Sequence, residues 1–158
     1  MSNDACETNF SKGIFVVGNS RTVVAARATT ITVNTGNTSS LSSSFLCDEP
    51  VTAYQVLAAF GASVRPADVT DSTHAENIVG LALTDCLAGE AVEVVSVGRV
   101  NFAGWSWSDT LPVYLGLTPG SLAQDDPEIS EGATFSIRLG IVRDNTSIDL
   151  NIQQPILY

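Results

Sequence analysis

The stretch from Ile78 to Val100, IVGLALTDCLAGEAVEVVSVGRV, constrains the fold of this chain more than any other. Ile78, Val79, Leu81 and Leu83 form one apolar run, and Val92, Val94 and Val95 form a second. Between them Thr84-Asp85 and Ala88-Gly89-Glu90 mark a turn region. β-Branched residues at near-alternate positions suit a pleated surface buried on one side, and Gly89 gives the backbone the freedom a reversal needs. Glu90 and Glu93 punctuate the apolar positions and are expected to face water or a subunit boundary. The stretch predicts a β-hairpin. No long amphipathic helix and no internal repeat appears elsewhere, so the expected class is all-β: a small antiparallel β-barrel or sandwich with an extended N-terminal arm.

Along the chain the same signals recur at lower strength. Residues 1–12 are polar and read as loose. Gly13-Ile14-Phe15-Val16-Val17-Gly18 is a short apolar strand, and Thr22–Ala28 and Thr29–Val33 continue in β-prone residues. Asn34 to Ser44, NTGNTSSLSSS, is polar and of low complexity, the composition of a linker. The division is therefore placed at residues 1–47 for the arm and Ser/Thr-rich linker, and 48–158 for the barrel domain. In the latter, Tyr54–Phe60 is apolar, Leu111–Gly116 starts through a proline, and Phe135–Val142 and Ser147–Ile152 alternate apolar and polar residues as one-sided strands do.

Charge narrows the classes of function. The net charge is −10, and the seven Lys and Arg residues are scattered singly. Nucleic-acid binding needs clustered cations against phosphates, and an anionic membrane attracts the same clusters, so neither partner is expected. Cys6, Cys47 and Cys86 are odd in number, far apart and without a CxxC pair. That spacing gives no disulfide framework and no structural zinc site, and the expectation is indifference to reductant. No apolar run has the length of a membrane span.

No catalytic constellation can be assembled. His74 is the one histidine, in the polar run DSTHAEN, and no nucleophile elbow accompanies it, so it reads as a solvent-facing loop residue. Asp125, Asp126, Glu128 and Glu131 offer the oxygens a hard cation wants, but their spacing fits no EF-hand and Pro127 limits how the loop wraps. They read as a solvated turn. The expectation is no enzyme activity, no metal and no cofactor. Trp105 and Trp107, two apart, would share one face of a strand. Framed by Gly104 and Pro112, they read as an aromatic plug at the barrel end. The alternative is a carbohydrate-stacking platform with Tyr114.

Four pieces of sequence, taken in order, carry a resemblance. They are Gly80-Leu81-Ala82-Leu83 with Ala88-Gly89-Glu90 and Val92-x-Val94; Gly104-Trp105-x-Trp107 before Pro112-Val113-Tyr114-Leu115-Gly116 and a strand ending at Gln124; Leu139-Gly140-Ile141-Val142; and an alternating strand running into Pro155-Ile156-Leu157. Residues 51–158 thereby resemble a small β-barrel module of tailed-bacteriophage virions, best known from capsid cement or head-decoration proteins. The resemblance implies a trimer without catalysis, partnered by the major capsid protein. It implies a non-enzymatic protein that decorates and stabilises the capsid's outer surface at threefold or quasi-threefold positions. A tail fibre or spike adaptor, or a glycan-binding virion module, is the alternative. The opening MSNDACETNFSKG has no apolar stretch of signal-peptide length, so synthesis in the host cytoplasm is expected. Self-association is expected from the residues too. The strands Gly80–Leu83, Val113–Leu115 and Ile137–Val142 carry just one charge, Arg138, and the chain ends in the apolar Ile156-Leu157-Tyr158, so these four are the candidate interface.

Overall fold

In the computed structural model the described residues are the strand segments 14–17, 20–24 and 30–34, followed by 40–108 and 110–158. Cys6 and the segments 1–12 and 35–39 lie outside them. Strands β1 (Ile14–Val17), β2 (Ser20–Val24) and β3 (Thr30–Asn34) form an antiparallel meander whose backbone pairs onward to β4 (Ser40–Cys47). These strands overlap the β-prone runs of the arm, β2 beginning two residues earlier and β3 ending one residue later. The linker reading is corrected in its second half. β4 pairs antiparallel from Leu41 to Leu46 with the long strand that follows the organising hairpin turn, so the barrel reaches back to Ser40. Backbone ladder bonds, indifferent to side-chain polarity, order a run of serines that composition alone leaves loose.

β5 (Val56–Phe60) and β6 (Ser63–Pro66) make a hairpin turned by Gly61, whose φ of 69° is the left-handed value that glycine adopts without a Cβ clash. A 3₁₀ helix over Ser72–Asn77 leads to β7 (Ile78–Ala82), and β8 (Ala91–Asn101) returns antiparallel to it, pairing Leu81 with Val95 and Ala82 with Val94. The expected hairpin is present. With β4 paired to both β6 and β8, the order β4-β6-β5-β7-β8 closes on itself as a five-stranded barrel.

The second half of β8 leaves that ring and continues the sheet. β9 (Pro112–Leu115), β10 (Leu122–Ala123), β12 (Arg138–Asp144) and β13 (Ser147–Asn151) extend it in the order β8-β13-β12-β9-β10. Between β10 and β12, β11 (Phe135–Ser136) pairs separately with the terminal β14 (Ile156–Leu157).

Two cores result. Cys47, Leu57, Val64, Ala82, Val92 and Val94 fill the closed ring. On the other side of the same strands Val56, Ala58, Leu81 and Val95 pack against Phe135, Leu139 and Ile148 from the extension. Val56-Leu57-Ala58, Leu81-Ala82 and Val94-Val95 are therefore buried on both faces. The sequence pattern had suggested one-sided burial for this hairpin. Consecutive rather than alternating apolar residues are the mark of a strand covered on both faces, and they stand at these positions. Gly80 belongs to this shared wall, where a Cβ would run into the Val95 carbonyl oxygen.

Cys47 and Cys86 form a disulfide across 39 residues, with Cα atoms 6.5 Å apart. This corrects the reading that the three thiols are unpaired. β4 brings Cys47 against the β7–β8 loop, where its N–H donates to Glu90 O (2.8 Å) and its carbonyl accepts from Gly89 N (2.8 Å). While β4 reads as a linker, nothing in the spacing places the two cysteines together.

Candidate functional site

Trp105 and Trp107 do not lie on a strand and do not enter the barrel interior. They occupy the loop between β8 and β9, held by Trp105 N–H to Phe102 O (3.0 Å) and Trp107 N–H to Asn145 O (2.9 Å). Both rings are half-buried against the larger core, with centroids 5.5 Å apart. The plug reading is corrected accordingly. Tyr54 and Phe102 complete a four-ring group: Phe102 stacks on Tyr54 at 4.4 Å, and Trp105 meets both edge-on at 5.4 and 5.7 Å. Tyr114 is not among the four. It lies on β9 opposite Ala123 and Arg138, alternating with the buried Val113 and Leu115.

These rings line an open groove of about 440 Å³, bounded on its other side by Thr118–Leu122. Tyr54 sits there with a φ of 68°, a left-handed backbone costing a side-chain-bearing residue on the order of 1–2 kcal/mol. The cost is met by Tyr54 N–H to Ala82 O (2.7 Å) and Ala82 N–H to Gln55 O (2.9 Å), which tie the turn to the end of β7. Trp107 Nε1 is buried without a hydrogen-bond partner among the described residues. Phe102 and Tyr54 are distant in sequence from the Trp pair, and no periodicity links them. The available signal was Tyr54 beside Thr52-Ala53, a turn position where glycine or asparagine is the usual residue.

The second exposed feature is the carboxy end. Ile156, Leu157 and Tyr158 are 65%, 61% and 50% exposed, although β14 is hydrogen-bonded to β11 and Tyr158 Oη donates to Pro127 O (2.9 Å). Ile129, 65% exposed in the acidic loop, lies beside Tyr158 and extends the patch. Sequence reasoning passed over it because its neighbours are acidic. Arg138 is exposed where β12 begins, and its carbonyl accepts from Gln153 N–H (2.9 Å). Ile156, Leu157 and Tyr158 are thus contiguous, and Arg138 is tied by its backbone to the segment that leads into them.

Three of the four carboxylates of the acidic loop are engaged by its own backbone or a neighbour. Glu128 and Glu131 form a capping box around the 3₁₀ turn Ile129–Glu131, and Asp126 accepts from the Ser136 hydroxyl. Among the described residues no group of three or more His, Cys, Asp or Glu is arranged to hold a metal.

His74 is not solvent-facing. The 3₁₀ helix, capped by Asp71 Oδ1 accepting from Thr73 N (2.9 Å), turns its ring inward to 6% exposure. There it meets Phe60 edge-on at 4.9 Å, and Nδ1 accepts from Asp68 N–H (3.1 Å). Nε2 lies 3.8 Å from Asp71 Oδ2. The ring's role is to satisfy a loop amide, a structural use that the surrounding polar residues hid. Asp71 has its carboxyl held below the usual range, first by the Thr73 hydroxyl.

No protein-family model and no curated protein matches the chain.

Proposed function

We propose that this chain is a non-enzymatic structural protein of a tailed-phage virion, a homotrimer that decorates and stabilises the capsid's outer surface. The observation that carries the reading is the apolar carboxy-terminal surface. Ile129, Ile156, Leu157 and Tyr158 expose large side chains together at the end of a strand already tied down, so they are presented as a fixed patch. Exposed contiguous apolar surface is uncommon on a monomer and marks association. Closed symmetry is the usual way for identical copies to bury it. Cyclic threefold symmetry matches the positions of a capsid lattice where one trimer clamps several shell subunits.

Two further features support it. The Cys47–Cys86 disulfide suits a protein that works outside a reducing cytosol, as a virion surface does. Among the described residues the large sheet ends at β1, and an edge strand is a template for adding a strand from another chain.

Light scattering tests the assembly. A trimer of the 16.6 kDa chain is expected at micromolar concentration, and the double substitution Ile156→Ser/Leu157→Ser should reduce it to monomer. Rebinding to stripped capsids tests the location, with saturation expected for the native chain. A native monomer, or a trimer that ignores capsids, refutes the reading.

A further inference from the structure

We infer that the groove floored by Tyr54, Phe102 and Trp105 is a binding site for a neutral saccharide. None of the side chains lining it is charged, in a chain whose net charge is −10. The lining combines flat aromatic faces with a rim of hydroxyl and amide groups from Thr52, Gln55, Thr118 and Ser121. That is the complement of a pyranose ring, which has an apolar C–H face and a polar edge of hydroxyls. The C–H face stacks on an aromatic ring while the edge hydroxyls meet the rim. A charged ligand finds no counter-ion here.

The rim is set in advance. Gln55 Oε1 accepts from Thr52 N–H (2.8 Å), fixing the amide and leaving its Nε2 without a protein partner among the described residues. Gly120, with a φ of 74°, packs on the Gln55 side chain and donates to Ala67 O (2.7 Å) while its carbonyl accepts from Val56 N (2.9 Å), so the Thr118–Ser121 turn is locked to the floor. The floor holds Tyr54 in its left-handed conformation stacked on Phe102, and Tyr54, Phe102 and Trp105 all line the open groove. A volume of about 440 Å³ lies in the range of small-ligand sites and accommodates a short stretch of sugar rings. None of Ile129, Ile156, Leu157 or Tyr158 lines the groove, so the site stands apart from the proposed self-association surface.

The test is titration of the full-length protein with maltohexaose, cellohexaose and chitohexaose, read by tryptophan emission. At least one of these neutral hexamers should give a saturating change, while polygalacturonate gives none. Phe102→Ala, which removes a ring that is 39% exposed and keeps both tryptophans as reporters, should weaken binding about tenfold or more. Trp105→Ala should do the same with Trp107 as reporter, and neither should alter the oligomeric state. Silence with all three hexamers overturns the inference, as does affinity unchanged in Phe102→Ala. A response confined to a proline-rich decapeptide would reassign the groove to peptide and overturn it equally.

Discussion

The two cores on either side of the wall β5–β7–β8 solve one problem in different ways. The closed ring is small and lined by Val, Ala and one Leu, and it is stapled by Cys47–Cys86. The outer core is larger, includes Phe135 with Leu, Ile and Val from β9, β12 and β13, carries the aromatic loop on its margin, and has no crosslink. A five-stranded ring with so few core side chains encloses little apolar surface, so constraint of the unfolded chain contributes what burial does not. The outer core relies on area. The wall belongs to both, so neither side can lose its packing without exposing the other.

That coupling leads to the largest expected effects. Phe135→Ala, at a fully buried site in the outer core, should cost about 3–5 kcal/mol, and Leu57→Ala inside the ring about 2–5 kcal/mol. Both should shift a single cooperative transition in denaturant followed by tryptophan emission and far-UV circular dichroism. Emission reports the outer core, which holds both tryptophans. If Leu57→Ala separates the two signals, the cores unfold independently and the shared wall is not a mechanical unit.

Removing the staple comes next. For a loop of 39 residues the chain-entropy model puts the disulfide at about 4 kcal/mol. Reductant, or Cys47→Ser with Cys86→Ser, should lower the melting midpoint by several degrees. An unchanged midpoint would mean that the ring holds by packing alone and that the contrast between the cores is one of size only.

These two regions were not equally legible in the sequence. The β7–β8 hairpin announced itself through Leu81, Val92, Val94 and Val95, and the alternating residues of β12 and β13 did the same. Those signals are local and depend on side-chain polarity. What escaped depends on contacts between distant segments. Ser40–Ser44 looked like a linker because its order comes from ladder bonds to β8. Cys47 and Cys86 meet only through that ladder. Tyr54 and Phe102 reach the Trp pair through turns whose residues carry no periodicity. The apolar carboxy end was visible because three large residues follow one another, whereas Ile129, buried in an acidic word, was not.

His74 sharpens the contrast from the loop side. It sits under the outer core's margin, packed on Phe60, whose ring also carries the Arg65 guanidinium 4.1 Å from its centroid. His74→Ala removes the acceptor of the Asp68 amide and should cost about 1–3 kcal/mol in denaturant. His74→Gln, which can offer a side-chain oxygen, should recover part of it. No loss in His74→Ala would return the residue to the solvent-facing role its sequence neighbours suggest.

The smallest effect belongs to the water-facing side of the outer sheet. Asp149 on β13 accepts from Arg99 Nε on β8 (2.9 Å) and, through its other oxygen, from Arg143 on β12, so one carboxylate bridges three strands. The Arg99 hydrogen bond is the main reason its carboxyl is held below the usual range, with burial opposing and Arg143 adding to the depression. A folded-state pKa below the unfolded one, about 3.9 for aspartate, contributes stability fully present above that value and lost as pH falls through the folded pKa. The contribution of this bridge therefore fades below about pH 4. Asp144, held low first by the Ser147 hydroxyl, loses its contribution in the same window, so acid sensitivity persists in part without Asp149. Asp149→Asn should lower the denaturant midpoint slightly at pH 7, less so in high salt because Arg99 and Arg143 are 39% and 57% exposed. The gap between variant and native chain should narrow at pH 3, where protonation of the unfolded native chain offsets the advantage of the folded carboxylate. An equal gap at pH 7 and pH 3 would show that Asp149 acts through packing rather than through its charge.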